Sequence, residues 1–550
     1  VKSAKPVLIE LPIFKSSAAR YIFAAFLTPL KSFIQVSGGC VSDRAFLIDD
    51  LPGDIRVMIS IVKQLGADVD IQKEDQLNAY VLAIKGIDFK EFIIKKKSFP
   101  VTEINCIESA FAARIFMVLN LFIHKPLLIK TEKTLCKRPL LINSKLSAAA
   151  GLIKKILNEQ DSNPEESAPD NINTCTFDNN RVIELENHDT SQYISGFLLI
   201  FSALGIKRNL TFIISNPVSR PYIRLTLQCI KAGGRECELI EKSNNKKSNN
   251  KKSNNKKSNN AKSNKMVLNF KAAQGSGLSS FTAGYSPDMS GLGFILSAIV
   301  LHAFYSKQGS PENIIIAKTF PAEDRAAQYT PDSQILTIFG PEWFRAVRCG
   351  KPGVPGLLIK AGKIFQHPGL PPITLDCRDN PDLFLCLVPV SALIPVKAVF
   401  KNVDRLNIKE SKRLDAALYV IKLLGAEYTL KPGESGFLKG SDLIISGRKC
   451  SLDKWIKPDD LKNSLPDQAL KDHRFFMMLC VIASLGTYFF KKNAPEISPE
   501  LFDNYDDFGI FSLNYLRKLD NQCLKKSFPG FLNELEKIIQ AFEKKPNIKS

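Results

Sequence analysis

The sequence predicts an α/β fold built from repeated helix–glycine–strand units, in a chain of two or more domains. Three observations carry that expectation. One is a recurring unit in which an amphipathic helix stops at glycine and a strand-like run follows. Another is a set of helices that are apolar on nearly every face and open on polar residues. The last is length, because 550 residues exceed what one ordinary hydrophobic core organises.

The unit first occurs where Asp54 and Arg56 open a helix with Ile55, Met58, Ile59, Val62 and Leu65 on one face and Gly66 at its end. Ala67 to Ile71 then alternates as a strand does. Ser219-Arg220-Pro221-Tyr222 opens the second unit, with Ile223, Leu227 and Ile230 apolar and Gly233-Gly234 as the stop. The third begins in Leu406-Asn407-Ile408-Lys409-Glu410-Ser411-Lys412-Arg413-Leu414. There Leu414, Ala417, Leu418, Ile421 and Leu424 keep helical spacing, Gly425 closes the helix, and Glu427 to Leu430 follows. Lys409, Glu410 and Arg413 are thus placed at or near a helix N-terminus, where free N–H groups and the dipole favour anions. Taken alone, such a start is equally an ordinary solvated ion pair at i, i+3.

The apolar helices share a different opening. Lys15-Ser16-Ser17-Ala18-Ala19-Arg20 precedes Tyr21 to Leu27, and Glu108-Ser109 precedes Ala110 to Phe122. Asp189-Thr190-Ser191-Gln192 leads into Tyr193 to Leu204, and Asp288-Met289-Ser290 into Gly291 to Ala303. Asp472-His473-Arg474 leads into Phe475 to Leu485. Helices apolar on all sides are buried, and hydroxyl, amide and cationic starts suit caps or an anion site. Five such starts, with the three amphipathic ones, predict N-termini converging on a phosphate-rich cleft. Arg56, Arg114 and Arg220 are expected to be structural or peripheral cations.

The formal charge is +20, and nine lysines without an acid fall between 242 and 265, leaving +11 elsewhere. That excess favours anionic partners. The 242–265 stretch repeats Lys-Ser-Asn-Asn-Lys and buries nothing, so a disordered insertion is expected, with 241–274 as insertion and linker. It lacks the aromatics or arginines that stack on bases, so nucleic acid is not the expected partner. Asn158 to Asn173 reads as a second surface insertion. The 12 cysteines form no CxxC pair and the 5 histidines are isolated, so no metal is expected. The longest apolar runs, Leu292 to Tyr305 and Phe475 to Phe490, fall short of a membrane span and read as buried helices. A soluble, cytoplasmic chain with reduced thiols is expected.

Eight short motifs in order give a resemblance. Leu11-Pro12-x-x-Lys15-Ser16-x-x-x-Arg20, Arg138-Pro139, Thr190-Ser191-Gln192 and Ser219-x-Pro221-Tyr222 come first. Asp376-Cys377-x-x-Asn380-Pro381-Asp382, Lys409-Glu410-Ser411-x-Arg413-Leu414, Asp472-His473-Arg474 and Lys526-Ser527-Phe528-Pro529 follow. From Leu11 to Leu532 the chain resembles the EPSP synthase (3-phosphoshikimate 1-carboxyvinyltransferase) family. The resemblance implies a two-domain inside-out α/β barrel of repeated βαβαββ units. One lobe would span 13–240; the other would combine 1–12 with 275–550. It also implies a reaction of aromatic amino acid biosynthesis: the enolpyruvyl group of phosphoenolpyruvate passes to the 5-hydroxyl of shikimate 3-phosphate, and phosphate leaves. Lys15, Ser16, Arg20, Thr190, Ser191, Gln192, Ser219, Tyr222, Asp382 and Lys409 would then hold shikimate 3-phosphate. Lys15, Arg138, Gln192, Arg413, Arg474 and Lys526 would hold phosphoenolpyruvate, a planar bidentate task that suits arginine. Asp382 would be the base at the hydroxyl, and Glu410 with Lys15 would handle protons at the enolpyruvyl carbon. No cofactor and no metal is implied, and a monomer is expected.

Three positions depart from the family. Ile13-Phe14 replaces a Gly-Ser, Glu108-Ser109-Ala110-Phe111 replaces Asn-Ala/Ser-Gly-Thr, and Arg405 stands where Asn is usual. Glu108 brings a negative charge towards a phosphate site, and Ala110 and Phe111 crowd the phosphoenolpyruvate pocket. Two alternatives stay open: a non-catalytic descendant acting as a binding or scaffold protein, and a UDP-N-acetylglucosamine enolpyruvyl transferase. Lys15-Ser16 and the Lys409 to Arg413 block argue against the latter. Deleting 242–265 is expected to leave the melting temperature nearly unchanged in a thermal denaturation experiment.

Overall fold

The computed structural model of the protein describes residues 7–36, 48–74, 79–138, 140–161, 181–186, 190–241, 265–275, 277–306, 314–317, 331–340, 344–349, 354–359, 371–432, 440–447, 465–493, 511–519 and 522–543. The Lys/Asn tract from 242 to 264, residues 162–173 of the second expected insertion, and Asp189 lie outside them. Four four-stranded sheets share one pattern, a parallel pair extended by two antiparallel strands. Two of them are built from consecutive chain. One orders Arg181–Glu186, Leu210–Ser215, Lys265–Phe270 and Cys237–Glu241; the other orders Ile373–Asp376, Lys397–Lys401, Ser441–Ser446 and Glu427–Pro432. With their helices both read βαβαββ in sequence, so the helix–glycine–strand period is one half of a larger unit. Among the described residues no sheet closes on itself.

The other two sheets borrow a strand from far along the chain. Val7–Glu10 pairs in parallel with Ile314–Ala317, and Thr282–Ala283 with Ser32–Gln35. The chain therefore passes between the two halves twice, and the two passages touch. Ile13 bridges Pro287, Phe14 N–H donates to the Ser286 carbonyl at 2.7 Å, and Asp288 N–H donates to the Pro12 carbonyl at 3.0 Å. This crossing sets the start of the first helix, α1 (Lys15–Phe26), at the seam.

Two apolar cores flank that seam. The first contains Ile13 and then residues up to Ala283; the second joins Ile9 and Leu11 to residues from Met289 to Phe542. The first is built on α1, α2 (Gly53–Gln64), α3 (Ala110–Asn120), α4 (Gln192–Ala203) and α5 (Arg220–Ala232). The second is built on α6 (Met289–Ser306), α7 (Phe384–Leu393), α8 (Arg413–Leu423) and α9 (His473–Asn493). The helices read as apolar all round are buried as expected: α6 is long and apolar enough to cross a membrane, but 94% of it lies inside the protein. The glycine stops are real stops. Gly66, Gly234 and Gly425 take φ of 101°, 79° and 69°, a region glycine enters without a Cβ clash.

Three expectations are corrected. The 241–274 segment is not all insertion and linker, because Lys265–Phe270 forms a strand inside the sheet. Its alternate residues Met266, Leu268 and Phe270 fill the first core. Asn158 to Asp161 belongs to the helix Ser144–Asp161, which Ile153, Ile156 and Leu157 anchor from below. The third unit's helix begins at Arg413; Val403–Ile408 is a separate 3₁₀ turn, and Lys409 is extended (φ −85°, ψ −154°).

His302 on α6 is a buried neutral histidine. Its Nε2 lies 3.1 Å from Ser484 Oγ, and its ring stacks on Phe542 and meets Tyr488 edge-on. Burial pushes its pKa down from 6.5 to about 3. Below 6.5 the unfolded chain binds a proton that the native protein refuses, so stability falls with pH from about 6.5 towards 3, by about 1.4 kcal/mol per unit. Urea unfolding at pH 7 and pH 5 should therefore show a shallower loss for His302→Gln than for the unmodified protein.

Candidate active site

A cavity of about 260 Å³ opens between the two cores. The side chains expected from sequence meet there. Lys15, Ser16 and Arg20 come from α1, Arg138 from the end of a 3₁₀ turn, Thr190, Ser191 and Gln192 from the start of α4, and Ser219 and Tyr222 from the start of α5. The second half contributes Asp382, Lys409, Glu410, Arg413, Arg474 and Lys526. Eight cations and four carboxylates line it, an excess of four positive charges. Such a surface is organised for anions.

The carboxylates divide the cations into two groups. Arg413 sits at the first turn of α8, where it donates from Nε and Nη2 to the two oxygens of buried Asp472 at 2.7 and 3.1 Å. Its Nη1 donates to Asp382 Oδ1 at 3.0 Å, and Arg474 Nη2 lies 3.2 Å from Asp382 Oδ2. Burial pushes Asp382 up, but Arg474, Lys409 and Arg413 outweigh it and hold the carboxyl well below its usual range. Burial lowers Lys409 to about 7 despite Asp382 beside it. The second group centres on Glu410. Lys526 Nζ donates to Oε1 at 2.7 Å, His473 Nδ1 lies 2.7 Å from Oε2, and Arg138 Nη2 is 3.8 Å from Oε1. Burial favours the neutral acid, but His473, Lys526 and Arg138 keep Glu410 ionised. Burial also lowers His473 to about 4, so its Nδ1–H donates as a neutral ring.

Lys15 completes the seam. Its Nζ pairs at 2.8 Å with Asp54, which stands in the first turn of α2. Burial raises Asp54, but Lys15 and Lys526 bring it below its usual range. Arg20 forms the floor. Its Nε donates to Thr226 Oγ1 at 2.9 Å, Nη1 to the Ser16 carbonyl at 2.6 Å and Nη2 to Ser195 Oγ at 3.1 Å. Thr226 and Ser195 were missed because each lies inside a helix and carries no motif.

One peripheral assignment is corrected. Arg114 lines the cavity and donates to Gln192 Oε1 at 2.6 Å, because one turn of α3 carries it from the rim to the start of α4. Arg56 and Arg220 do pair elsewhere, with Asp49 at 3.1 Å and Asp379 at 2.5 Å. Glu410, Asp472 and His473 bring possible metal-ligand atoms within 4.8 Å of one another. Lys526 and Arg413 already occupy their oxygens, and two cations there oppose a third.

Comparison with known proteins agrees with the sequence motifs. Curated 3-phosphoshikimate 1-carboxyvinyltransferases of Staphylococcus aureus strains Newman and N315 are 26% identical to the chain over 178 residues, which is 32% of this chain and 31% of each relative. The chain is similar to the EPSP synthases. The match spans about a third of those relatives' length. Among solved structures, an EPSP synthase of Acinetobacter baumannii is 15% identical with a TM-score of 0.49, covering 92% of this chain and 96% of that one. The enolpyruvyl transferase NikO of Streptomyces tendae is 10% identical with a TM-score of 0.43, covering 98% and 95%. No family model matches the chain.

The departures from the EPSP synthase pattern have local explanations. Phe111 lies with its ring centroid 4.7 Å from the Arg20 guanidinium, a cation–π contact that packs the floor. Glu108 accepts from Thr134 Oγ1 at 3.2 Å and lies 3.6 Å from Lys133, which turns part of its charge from the cavity. Arg405 Nη2 donates to Ser219 Oγ at 3.3 Å and Nη1 donates to the Arg378 carbonyl, so it braces a hydroxyl of the site. Removing one partner of a buried ion pair strands the other. Asp472→Ala should lower the unfolding free energy by about 3–5 kcal/mol at neutral pH, read from denaturant midpoints.

Proposed function

We propose that the protein transfers the enolpyruvyl group of phosphoenolpyruvate to the 5-hydroxyl of shikimate 3-phosphate and releases phosphate. The supporting observation is the pairing of two ionised carboxylates, Asp382 and Glu410, each held by its own cations in one positively charged cavity. The proposal includes two lobes, 13–240 and 1–12 with 275–550, each an inside-out barrel. It also includes a monomer that works without cofactor.

The chemistry follows from that division. The hydroxyl-rich side with Ser16, Thr190, Ser191, Ser219 and Tyr222 takes the phosphorylated acceptor, with Arg20, Lys409 and Gln192 beside it. Lys15, Arg138, Arg413, Arg474 and Lys526 neutralise the phosphate and carboxylate of phosphoenolpyruvate, with Gln192 bridging the two substrates. Asp382, ionised and aimed by Arg413 and Arg474, accepts the acceptor hydroxyl proton as its oxygen attacks C2 of the enol phosphate. C3 gains a proton from the Lys15 side. Ionised Glu410 then takes a proton back from the new methyl group as phosphate leaves, restoring the double bond. The cations stabilise charge on the tetrahedral intermediate where it develops.

A non-catalytic binding protein is the competing reading, favoured by the bulk of Phe111 on Arg20. A cysteine-dependent relative using a nucleotide sugar is disfavoured, because no cysteine is among the described cavity residues. Phosphate release from the two substrates decides between them. The unmodified protein should release phosphate, Lys15→Met should abolish release, and Asp382→Asn should lower kcat by roughly 10²–10⁴. No release above the Lys15→Met control at millimolar substrate refutes the enzyme.

A further inference from the structure

We infer that Asp332 is a positioning residue for this site, holding the Tyr222 hydroxyl in a hydrogen-bond chain that ends on Asp382. This assignment rests on the proposed role of Asp382 as base. Tyr222 Oη lies 2.8 Å from Asp332 Oδ2 and 3.4 Å from Asp382 Oδ2. One phenol thus stands between two carboxyls but has a single proton to donate. The two acids differ in their surroundings. Asp382 has Arg413 at 3.0 Å and Arg474 at 3.2 Å, whereas Asp332 forms no ion pair among the described residues. Asp332 is 1% exposed, its Oδ1 has no hydrogen-bond partner among those residues, and its backbone is left-handed at φ 66°. A buried carboxyl with no ion pair among the described residues, one oxygen without a partner there and a left-handed backbone is costly to keep, which points to a task. Nothing in its sequence context, Pro331-Asp332-Ser333, marks it.

The groups facing Asp332 set its protonation. They are Tyr222 on α5, Asp382 before α7, Cys386 on α7, Arg474 on α9 and Asp288 before α6. Burial and the Asp382 charge push its carboxyl up to about 7, against the pull of Arg474 and the Tyr222 bond. Below that pH the neutral Asp332 donates to the phenol oxygen and Tyr222 donates to Asp382, so every proton has an acceptor. Above it, ionised Asp332 takes the phenol proton at the shorter distance, and Asp382 loses that bond. The base is therefore held in its hydrogen-bonded arrangement only on the acidic side of neutrality.

Carboxyl-carbon NMR of the full-length protein labelled at aspartate Cγ tests the chain without relying on activity. One aspartate should titrate near pH 7, vanish in Asp332→Asn and move in Tyr222→Phe, which keeps the ring and the packing. If no aspartate titrates near neutrality, or the signal survives in Asp332→Asn, the assignment is wrong. In turnover, Tyr222→Phe should lower kcat at least about tenfold with little change in the KM for phosphoenolpyruvate, whereas Asp332→Asn, whose amide donates to the phenol as the neutral acid does, should keep the kcat seen on the acidic side. Both should also remove the neutral limb of the pH–rate profile, which a merely structural residue would leave in place. An unchanged kcat in Tyr222→Phe, or an unchanged profile in Asp332→Asn, overturns the positioning role. Absence of phosphate release by the unmodified protein refutes the proposed reaction and with it that role, while the titration still decides the hydrogen-bond chain.

Discussion

The Arg413 guanidinium is the interaction on which the cavity depends. It is almost wholly buried, yet it satisfies Asp472 with two donors and Asp382 with a third. Asp472 in turn accepts from Ser411 Oγ and from the backbone N–H of Arg474. One side chain at the first turn of α8 thereby fixes the start of α9, and with it His473 and Arg474. A lysine cannot replace it, because only a planar fork presents three donors in fixed directions. The geometry of both carboxylates at the centre of the site is inherited from that fork.

A second constraint is the seam between the halves. Ser219 is left-handed at φ 52° and its N–H donates to the Arg378 carbonyl at 3.0 Å. Arg220 donates from Nε and Nη2 to Asp379 at 2.9 and 2.5 Å, and Arg405 reaches back to Ser219. The strained residue is thus held from the opposite half, and the hydroxyl it presents to the cavity is placed by both. On the other side, the paired crossings at Ile13 and Pro287 put Lys15 beside the second half. A cleft made this way has cations converging from both halves of the chain.

The substitutions that depart from the EPSP synthase pattern are absorbed locally. Phe111 packs on Arg20, Glu108 is turned to Thr134 and Lys133, and Phe14 meets Tyr222 with ring centroids 6.2 Å apart. They add apolar bulk near the floor while Asp382, Glu410 and their cations keep their contacts. Such changes act on the shape of the cavity floor, while Asp382 and Glu410 stand apart from them.

The sequence by itself determined the elements. Apolar spacing gave Ile55 to Leu65 and Leu414 to Leu424 as helices, and Gly66, Gly234 and Gly425 as their stops, because periodicity and positive φ are local properties. The eight motifs also named Lys15, Arg138, Gln192, Asp382, Glu410 and Lys526 among the residues that line the cavity, since each sits at a helix start or turn whose chemistry shows in the chain. What tertiary structure decided is which charges pair. Glu410 and Arg413 look like partners three residues apart, but Glu410 pairs with Lys526 and His473, and Arg413 with Asp472 and Asp382. Arg114 joined the cavity, and Asp54 and Asp332 became partners of Lys15 and Tyr222, through contacts between elements distant in sequence. Lys265–Phe270 turned out to be a strand only because a sheet was waiting for its alternate residues. Pairing of buried charges depends on which helix starts the fold brings together, and no window of sequence contains that distance.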